Sequence, residues 1–423
     1  MNPPSVAAAP AQALAPARSS ASAYDHLVLE DRVHTSLYVD PGIFETEMDR
    51  IFNNTWVWVA HASEIPAAGH FKMSHVGRQP VIVTRASDGR VHVLLNRCRH
   101  RAGSVCEQRY GKAAGFVCPY HGWSYDLTGR LRGVPHASGY DASFNKSDYS
   151  LAGLRVEEYA GLIFATFRAD MQPLAEYLGP ARKWIDLFMK QGAGYGVKAS
   201  GAHRFRFRGN WKIQLENTTD AYHFPIVHRS FLTSLDDQTE DLFDILKQGG
   251  WVEDLGNGHS VMVMIPELID LEADLDAPIP ERFQALASEL ARDHAPEQVR
   301  RIVRAVGGCG FNVNLFPNVA CSMAFFRVLR PIAVDETEIT HMAITMDGGP
   351  AAANRARLRL HEHFQGPMGF GSPDDAEGWE RVQRGAAAGE NLWVMLNRAK
   401  EHDVSAETGM RAAYRMWLRM MSA

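Results

Sequence analysis

Short apolar runs separated by turn residues dominate the chain between Thr55 and Phe167. The runs TWVWVA, QPVIVTRA, RVHVLLN and LIFATF are rich in β-branched and aromatic side chains, and turn-forming pairs such as Asp88-Gly89 lie between them. This pattern is typical of short antiparallel strands joined by tight turns. It predicts a small all-β unit in this part of the chain.

The residues before this unit follow a different pattern. In residues 24–54, Phe44 and Ile51 are spaced so that a helix would place them on one face, and Pro41 occupies a favourable first position for that helix. We predict a short amphipathic helix here. Residues 1–23 are mostly Ala, Pro and Ser, with no apolar run behind a basic start, and are predicted to be a disordered tail rather than a signal peptide.

Beyond residue 169, helices and longer strands replace the short runs. From His203 to Arg208, aromatic and basic residues alternate strictly, which predicts a half-buried strand with a solvated arginine face. Further strands are predicted in FNVNLFPNVACSMAFFRVLRPI and EITHMAITM, and helices near Trp211–His223, from about Pro280 to Val306, and toward Trp417. Because strands and helices occur in separate blocks, the pattern favours an α+β domain with an antiparallel sheet.

The composition narrows the class of protein. At roughly 150 residues per domain, 423 residues indicate two or three domains. The 44 Lys and Arg against 49 Asp and Glu give a formal charge of −5, which disfavours nucleic acid and anionic membranes as partners. No apolar run approaches the roughly 18 residues of a membrane span. Five cysteines are too few for a disulfide framework, so we expect a cytoplasmic protein with reduced thiols or metal ligands.

Two pairs of candidate metal ligands lie within the predicted all-β unit. Cys98 and His100 form a C-x-H pair, Cys118 and His121 form a C-x2-H pair, and 17 residues separate the pairs. Two cysteines and two histidines can hold tetrahedral zinc, but the first spacing is shorter than zinc fingers use. Mixed pairs suit a [2Fe–2S] cluster in which two cysteines bind one iron and two histidines the other. The spacing therefore favours the cluster over zinc.

A second group of candidate ligands lies in GNWKIQLENTTDAYHFPIVH. Asp220 and His223 are three residues apart and would share a helix face. His223 and His228 are five apart, about 140° on an unbroken helix, which is too far for one metal ion. Pro225 is expected to break or bend the helix, so that His228 can turn back toward His223.

Two imidazoles need a carboxylate to complete the facial triad that leaves positions on ferrous iron open for dioxygen. Glu216, Asp220, Asp374 and Asp375 are all conceivable as that carboxylate, and spacing does not select among them. The residues alone thus predict a mononuclear site with two histidines and an open third ligand.

The residues NRCRHRAG and CPYHGW resemble the Rieske signature. With NWK…EN…DAYH…H about a hundred residues later, the chain is similar to the large (α) subunit of Rieske non-haem iron aromatic-ring-hydroxylating oxygenases from roughly Asp31 to the C-terminus. The resemblance implies an α+β protein with an N-terminal all-β Rieske [2Fe–2S] domain over residues 55–169 and a C-terminal helix-grip catalytic domain over residues 170–423. The helix of residues 24–54 would pack on the catalytic domain.

The same resemblance implies two cofactors, a [2Fe–2S] cluster and a mononuclear ferrous ion. The ligands it implies are Cys98, His100, Cys118 and His121 for the cluster, and His223, His228 and Asp375 for the mononuclear iron. Asp374 is the fallback for the third ligand of the mononuclear iron.

The resemblance assigns Asp220 a catalytic role as a bridge. It would accept hydrogen bonds from His121 of the neighbouring subunit and from His223 of its own, which implies a homotrimer, possibly with a small β subunit (α3 or α3β3). This role also agrees with a physical expectation, because a histidine that binds a metal through one ring nitrogen commonly donates the N–H of its other ring nitrogen to a carboxylate. Because the chain has neither a dinucleotide fingerprint nor a Walker motif, a reductase with or without a ferredoxin must supply electrons.

One spacing bears on the substrate. Glu216 and Asp220 are four apart, whereas naphthalene- and biphenyl-type enzymes carry an extra residue there, so the chain is similar to the benzoate, salicylate, anthranilate and terephthalate branch. This favours insertion of oxygen from O2 into the ring of a carboxylated aromatic, giving a cis-dihydrodiol or a phenol in aromatic hydrocarbon catabolism. The alternatives are a related Rieske monooxygenase for an alkyl or quaternary ammonium substrate, and a zinc-stabilised binding module without chemistry.

Overall fold

The computed structural model of the protein describes residues 23–235, 243–389, 392–398 and 403–423. The predicted tail therefore lies outside the described residues, except for Ala23. Within the described ranges the chain forms two seven-stranded sheets, a three-stranded sheet and a two-stranded sheet. Within each of these sheets, every pair of neighbouring strands is antiparallel.

The strands are numbered in chain order. They are β1 Arg32–His34, β2 Val57–His61, β3 His70–Val76, β4 Gln79–Arg85, β5 Val91–Leu95, β6 Tyr110–Lys112, β7 Gly115–Val117, β8 Ser124–Asp126, β9 Leu131–Gly133, β10 Gly153–Tyr159, β11 Leu162–Thr166, β12 Val197–Phe207, β13 Trp251–Gly256, β14 His259–Val263, β15 Phe311–Leu315, β16 Val319–Ser322, β17 Phe325–Ala333, β18 Glu336–Met346 and β19 Trp393–Met395.

The α-helices are α1 Ser36–Val39, α2 Pro41–Glu47, α3 Leu174–Leu178, α4 Ala181–Met189, α5 Trp211–Thr218, α6 Phe224–Val227, α7 Arg229–Leu232, α8 Gln284–Leu290, α9 Pro296–Gly307, α10 Ala351–Gln365, α11 Ser372–Ala386 and α12 Thr408–Met421. Within the described ranges, none of the helices combines the length and apolar character that crossing a lipid bilayer requires.

The first large sheet has the strand order β2-β11-β10-β5-β4-β3-β6, and the three-stranded sheet β7-β8-β9 belongs to the same part of the chain. Successive residues of a strand point to opposite faces. Val81 and Val83 therefore pack in the largest core, whereas Ile82 packs in a second core that also contains Cys98 and Cys118. Because both faces are covered, these strands read as continuous apolar runs, and the predicted all-β unit is confirmed.

The second large sheet has the order β12-β18-β17-β16-β15-β14-β13. One face buries Val261, Val313 and Phe326 in the largest core. The opposite face carries polar residues such as Asn312 and Ser322, which lie opposite each other on β15 and β16. Helices pack around this antiparallel sheet, which confirms the α+β prediction and leaves a polar face available for a site.

The N-terminal segment is only partly helical. Pro41 begins α2 as predicted, and Asp40 caps it by accepting hydrogen bonds from the backbone amides of Gly42 and Ile43 at 2.7 and 3.1 Å. The predicted amphipathic helix is found from Pro41, since α2 continues directly into a π-helical turn at Met48–Phe52. It covers only part of residues 24–54, because β1 pairs with β19 and α1 precedes α2. The segment packs against the catalytic part of the chain through Phe52, whose ring centre lies 5.2 Å from that of Trp211.

Two longer predicted helices are interrupted. The helix expected from Pro280 to Val306 is divided into α8 and α9, and Pro296 begins the second one, since proline fits a first helical turn but not an interior. The helix expected over Trp211–His223 ends at Thr218. The second interruption shapes the site described next.

Candidate metal centres

Two loops with the same backbone form hold the cysteine and histidine pairs. In the loop after β5, the amide of Cys98 donates to Gly103 O and the amide of Ala102 donates to Cys98 O. In the loop after β7, the amide of Cys118 donates to Trp123 O and the amide of Gly122 donates to Cys118 O. Each loop therefore closes into a tight turn that contains one cysteine and one histidine.

Each of the two turns contains one residue with a positive φ angle, and the type of that residue differs between the turns. Gly122 has φ +72° and Ala102 has φ +60°. Glycine adopts this left-handed region without cost, whereas alanine is strained there. The second turn therefore has the more relaxed backbone, and both turns keep the same shape.

The four side chains of the loops converge. The thiols of Cys98 and Cys118 are buried, with 1% and 2% of each residue exposed, while His121 is exposed at the molecular surface. Nδ1 of His100 lies 3.1 Å from Nδ1 of His121, so both rings turn the same nitrogen inward. Two thiols on the inside and two imidazoles on the outside fit a [2Fe–2S] cluster with mixed ligation.

Neighbouring aromatic groups support this donor set. The ring of His100 stacks on Trp123, with centroids 5.0 Å apart and an interplanar angle of 10°. The hydroxyl of Tyr125 lies 3.2 Å from Sγ of Cys98. Burial raises the pKa of the Cys118 thiol, so a cationic metal is needed to hold it as a thiolate.

The second centre is formed by His223, His228 and Asp375. One possible ligand atom of each residue lies within 4.8 Å of the other two. Oδ1 of Asp375 is 3.2 Å from Nε2 of His228 and 3.5 Å from Nε2 of His223. Burial by itself raises the pKa of Asp375, but hydrogen bonds and the charges of both histidines outweigh it and hold the pKa well below its usual range. Two imidazoles and one carboxylate fit a ferrous facial triad.

The local fold brings the two histidines together by a route that differs from the predicted one. Helix α5 ends at Thr218, the chain turns, and His223 and His228 flank the one-turn helix α6. The interruption precedes Pro225, which sits in the first turn of α6 where its missing N–H costs nothing. The predicted break at Pro225 was therefore wrong, because the interruption lies between Thr218 and His223, ahead of both histidines.

Asp220 lies in this turn rather than on a helix. Its Oδ1 accepts a hydrogen bond from the backbone amide of Tyr222 at 2.7 Å, and its Oδ2 lies 3.1 Å from Nδ1 of His223. Burial lowers the pKa of His223, but hydrogen bonds to Asp220 and Asp375 raise it to about 9. His223 thus has a carboxylate on each side of its ring.

The other carboxylates considered from the sequence point elsewhere. Oδ2 of Asp374 accepts a hydrogen bond from Ser230 Oγ at 3.1 Å. Glu216 is buried between the hydroxyls of Tyr38 and Tyr414. Neither side chain belongs to the converging group of ligand atoms found within the described residues.

Sequence reasoning missed two residues that contact Asp375. Nδ2 of Asn217 donates to Oδ1 of Asp375 at 3.1 Å and lies equally close to Nε2 of His223. Arg327 on β17 is 7% exposed, and its Nη2 lies 4.0 Å from Oδ2 of Asp375. Its Nε donates to Nε2 of His341 at 3.1 Å. The sequence did contain an indication for Arg327, because it is a charged residue inside the apolar run FFRVL, and charged residues in buried strands usually have a specific partner.

Beside this centre lies an apolar wall formed by the end of β14 and neighbouring segments, and the polar face of the sheet carries two unsatisfied polar atoms. The wall is a cluster that includes Met262, Met264 and Ile245. Oδ1 of Asn312 and Oγ of Ser322 are buried and have no hydrogen-bond partner among the described residues. Nδ2 of Asn312 reaches the carbonyl of the last residue of α5, next to Asn217, at 3.5 Å. Asn312 therefore faces the neighbourhood of the second centre, and Ser322 lies opposite it on the next strand.

The donor sets of the two centres fit a [2Fe–2S] cluster and a mononuclear ferrous ion, the combination expected of an oxidoreductase with one site for electron transfer and one for chemistry. Residues 55–155 match the Rieske [2Fe-2S] domain, and residues 196–423 match the ring hydroxylating alpha subunit catalytic domain. The chain belongs to the family of ring-hydroxylating oxygenase alpha subunits.

Known relatives cover most of the chain. It is 32% identical over 391 residues to toluate 1,2-dioxygenase subunit alpha of Pseudomonas putida, covering 86% of this chain and 82% of that one. It is 29% identical over 389 residues to the anthranilate 1,2-dioxygenase large subunit of Acinetobacter baylyi, covering 87% and 80%. The solved structure of naphthalene 1,2-dioxygenase with bound indole superimposes with a TM-score of 0.78 at 26% identity and covers 94% of both chains.

Family membership settles the class of reaction. The protein is a ring-hydroxylating oxidoreductase that carries a Rieske [2Fe–2S] cluster and mononuclear iron. It is the terminal oxygenase component of a system in which a reductase or ferredoxin supplies electrons and the substrate is aromatic. The predicted family, cofactors and reaction class are confirmed.

Proposed function

We propose that this protein inserts oxygen from O2 into the ring of a carboxylated aromatic compound. The observation that carries this proposal is the position of Arg327, a buried cation 4.0 Å from Asp375 at the edge of the converging ligand group. The relatives named for toluate and anthranilate support the same substrate class.

The proposed cofactor ligands are the residues that converge in the two centres. Cys98, Cys118, His100 and His121 hold the [2Fe–2S] cluster, and His223, His228 and Asp375 hold the mononuclear iron. When bound, the cluster supplies electrons and the ferrous ion supplies the place where dioxygen reacts. The corresponding domains are residues 24–54 with 170–423 for catalysis and residues 55–169 for the cluster.

The charge balance of the second centre favours an anionic substrate. A ferrous ion and Arg327 contribute three positive charges, and Asp375 and Asp220 contribute two negative charges, so one positive charge remains. An uncompensated charge in a buried site is costly unless a counter-ion is present. A substrate carboxylate supplies that counter-ion, and guanidinium groups bind carboxylates well.

The sheet face supplies groups that orient a planar substrate. Met262, Met264 and Ile245 offer an apolar wall for an aromatic ring. Oδ1 of Asn312 accepts a hydrogen bond from a hydroxyl or amino substituent, and Oγ of Ser322 can donate one to a carboxylate. Leaving such atoms unpaired is costly, so a substrate that pairs them is preferred over an unsubstituted ring.

Asp220 is proposed to connect subunits. Its side chain is 23% exposed while it holds His223, and His121 is exposed in the cluster loop of the other domain. A homotrimer in which His121 of one subunit meets Asp220 of the next gives both exposed groups a partner, with or without a small β subunit.

The five cysteines form no disulfide bond, which is consistent with residence in the cytoplasm.

A substrate pair that differs only in charge tests the proposal. Benzoate and benzamide have nearly the same shape, so we expect turnover with benzoate, or with its 2-hydroxy or 2-amino derivative, and a much lower kcat/KM for the matching amide. The assay measures O2 uptake and ring-hydroxylated product with a surrogate electron donor. Equal kcat/KM for the acid and the amide, or turnover of unsubstituted aromatics alone, contradicts the proposal.

A further inference from the structure

A cavity of about 210 Å³ lies between the two large sheets, away from both metal centres. Lys72 and His75 on β3 and Arg109 just before β6 line it from the first sheet. Arg204 on β12, Arg330 on β17 and Glu338 on β18 line it from the second sheet. None of the proposed iron ligands belongs to its described lining.

The lining carries more positive than negative charge. The four cations are Lys72, Arg109, Arg204 and Arg330. Glu338 is shared, since its carboxylate lies 3.6 Å from Arg204 and 3.0 Å from Arg330. Glu64 pairs with Lys72 at 2.5 Å. Four positive charges against two negative ones leave two positive charges uncompensated around the cavity.

His75 also lines the cavity, but it supplies no negative charge to balance the four cations. Burial and the neighbouring Arg330 lower the pKa of His75 to about 4, so His75 is neutral at neutral pH and its Nε2 accepts a hydrogen bond from Nη1 of Arg330 at 2.8 Å. Arg330 also donates from Nη2 to Glu338. Its Nε is buried without a hydrogen-bond partner among the described residues.

The cations are close enough to act on one another. Burial lowers the pKa of Arg204, and the charges of Arg109 and Arg330 lower it further against the opposing effect of Glu338. Like charges held together in a partly buried space raise the free energy of the folded protein. An anion bound among them removes this cost and satisfies free guanidinium N–H groups.

We infer that this cavity binds a small oxyanion, of the phosphate or dicarboxylate class, which bridges the Rieske sheet and the catalytic sheet. The volume exceeds what one water molecule needs by more than tenfold, and it is bounded by donors from both sheets. Because such a ligand contacts both sheets in the folded state only, its binding stabilises their contact. This inference does not depend on the identity of the aromatic substrate.

Titration of the full-length protein with inorganic phosphate and with succinate, at constant ionic strength set by chloride, tests the inference. We expect saturable binding of at least one of the two by calorimetry, with a rise in Tm, and the preferred anion identifies the source as phosphate or carboxylate. Arg109→Gln and Arg204→Gln are each expected to weaken that binding about tenfold or more, as the loss of a charge-assisted hydrogen bond predicts.

Arg208→Gln is the matched control. Arg208 follows the end of β12, four residues after Arg204, but is 87% exposed and pairs with Glu380 outside the cavity. The control variant is expected to bind the anion as the wild type does. No saturable binding of either anion, or equal binding by the wild type and both Arg109→Gln and Arg204→Gln, overturns the inference.

Discussion

Oδ2 of Asp220 lies 3.1 Å from Nδ1 of His223, on the side of the ring that faces away from Asp375. Nε2 of the same ring lies 3.5 Å from Oδ1 of Asp375. A carboxylate that accepts from Nδ1–H keeps that proton in place and leaves Nε2 free to bind a metal ion. Asp220 thus fixes the tautomer and the orientation of His223.

Replacement of Asp220 by Asn keeps the size of the side chain and removes its charge. We expect Asp220→Asn to retain both cofactors and to lower turnover by about 10–100-fold, the range found when a carboxylate behind a metal-bound histidine is changed. Measuring iron and sulfide content together with turnover distinguishes slower turnover of a fully loaded enzyme from the loss of a cofactor. Asp374→Asn, which alters only the contact with Ser230, is the control, and full activity in Asp220→Asn removes the residue from the mechanism.

Asp375 and Asp374 are neighbours with opposite expected phenotypes. Asp375→Ala removes a buried oxygen from the converging ligand group, so we expect iron to fall from about three atoms per chain to about two, with the visible absorption of the cluster unchanged. Asp374→Ala is expected to keep about three. Loss of iron from Asp374→Ala alone would show that the wrong carboxylate was assigned.

A fully buried ion pair joins the N-terminal segment to the catalytic part of the chain. Nζ of Lys212 lies 2.6 Å from Oε1 of Glu47, and the indoles of Trp211 and Trp417 also donate to that carboxylate at 2.8 and 2.6 Å. Lys212→Met leaves Glu47 buried without its cation, so we expect a loss of about 3–5 kcal/mol. Thermal unfolding followed by circular dichroism should show a clearly lower Tm.

The double variant Glu47→Gln/Lys212→Met is the control for this pair. Glutamine keeps an acceptor for the indoles but carries no charge, so it should recover part of the lost stability. A single variant Lys212→Met that unfolds at the wild-type temperature would mean that the pair contributes nothing to stability.

Glu216 makes stability depend on pH. Burial is the main cause that raises its pKa, from 4.5 to about 7, and the charge of Asp220 adds to it, while hydrogen bonds from Tyr38 and Tyr414 and the charge of Lys212 oppose it. The folded state therefore binds more protons than the unfolded state between these pH values, and stability falls as pH rises from about 4.5 to about 7. Glu216→Gln removes this fall.

The measurement is Tm of both proteins from pH 5 to pH 8. We expect the Tm of Glu216→Gln, relative to wild type, to increase through this range and then level off above pH 7, because wild-type Glu216 becomes charged in its buried position. Parallel Tm curves for the two proteins would contradict a raised pKa of Glu216.

The cysteine and histidine pairs were accessible from the sequence because each pair lies within one short loop. A spacing of one or two residues between Cys98 and His100, and between Cys118 and His121, leaves few backbone forms, and all four side chains converge across two adjoining turns. The strand pattern of the surrounding unit was accessible for the same reason, since alternation along a strand is a local property.

The interruptions of the helices were harder to predict. Pro225 and Pro296 were present in the sequence, but proline can end one helix or lie at the start of the next, and both of them lie in the first turn of a helix here. The chain leaves α5 earlier, where Thr218 is followed by a turn stabilised by the Asp220 side chain. The choice depends on side-chain hydrogen bonds that compete with the helix.

The sequence by itself determined the class of this protein: two sets of metal-ligand spacings, their order along the chain, and an all-β unit ahead of an α+β domain. Spacing by itself left four carboxylates open as partners of His223 and His228; the tertiary structure places Asp375 beside both histidines and brings Arg327 and Asn217 to that carboxylate. The physical reason is that spacing restricts neighbours within a turn, whereas contacts between residues far apart in the chain, such as Asn217 with Asp375 and Arg327 with Asp375, depend on the rotation of α11 and the register of β17. A shift of one residue in that register would turn Arg327 to the other face of the sheet.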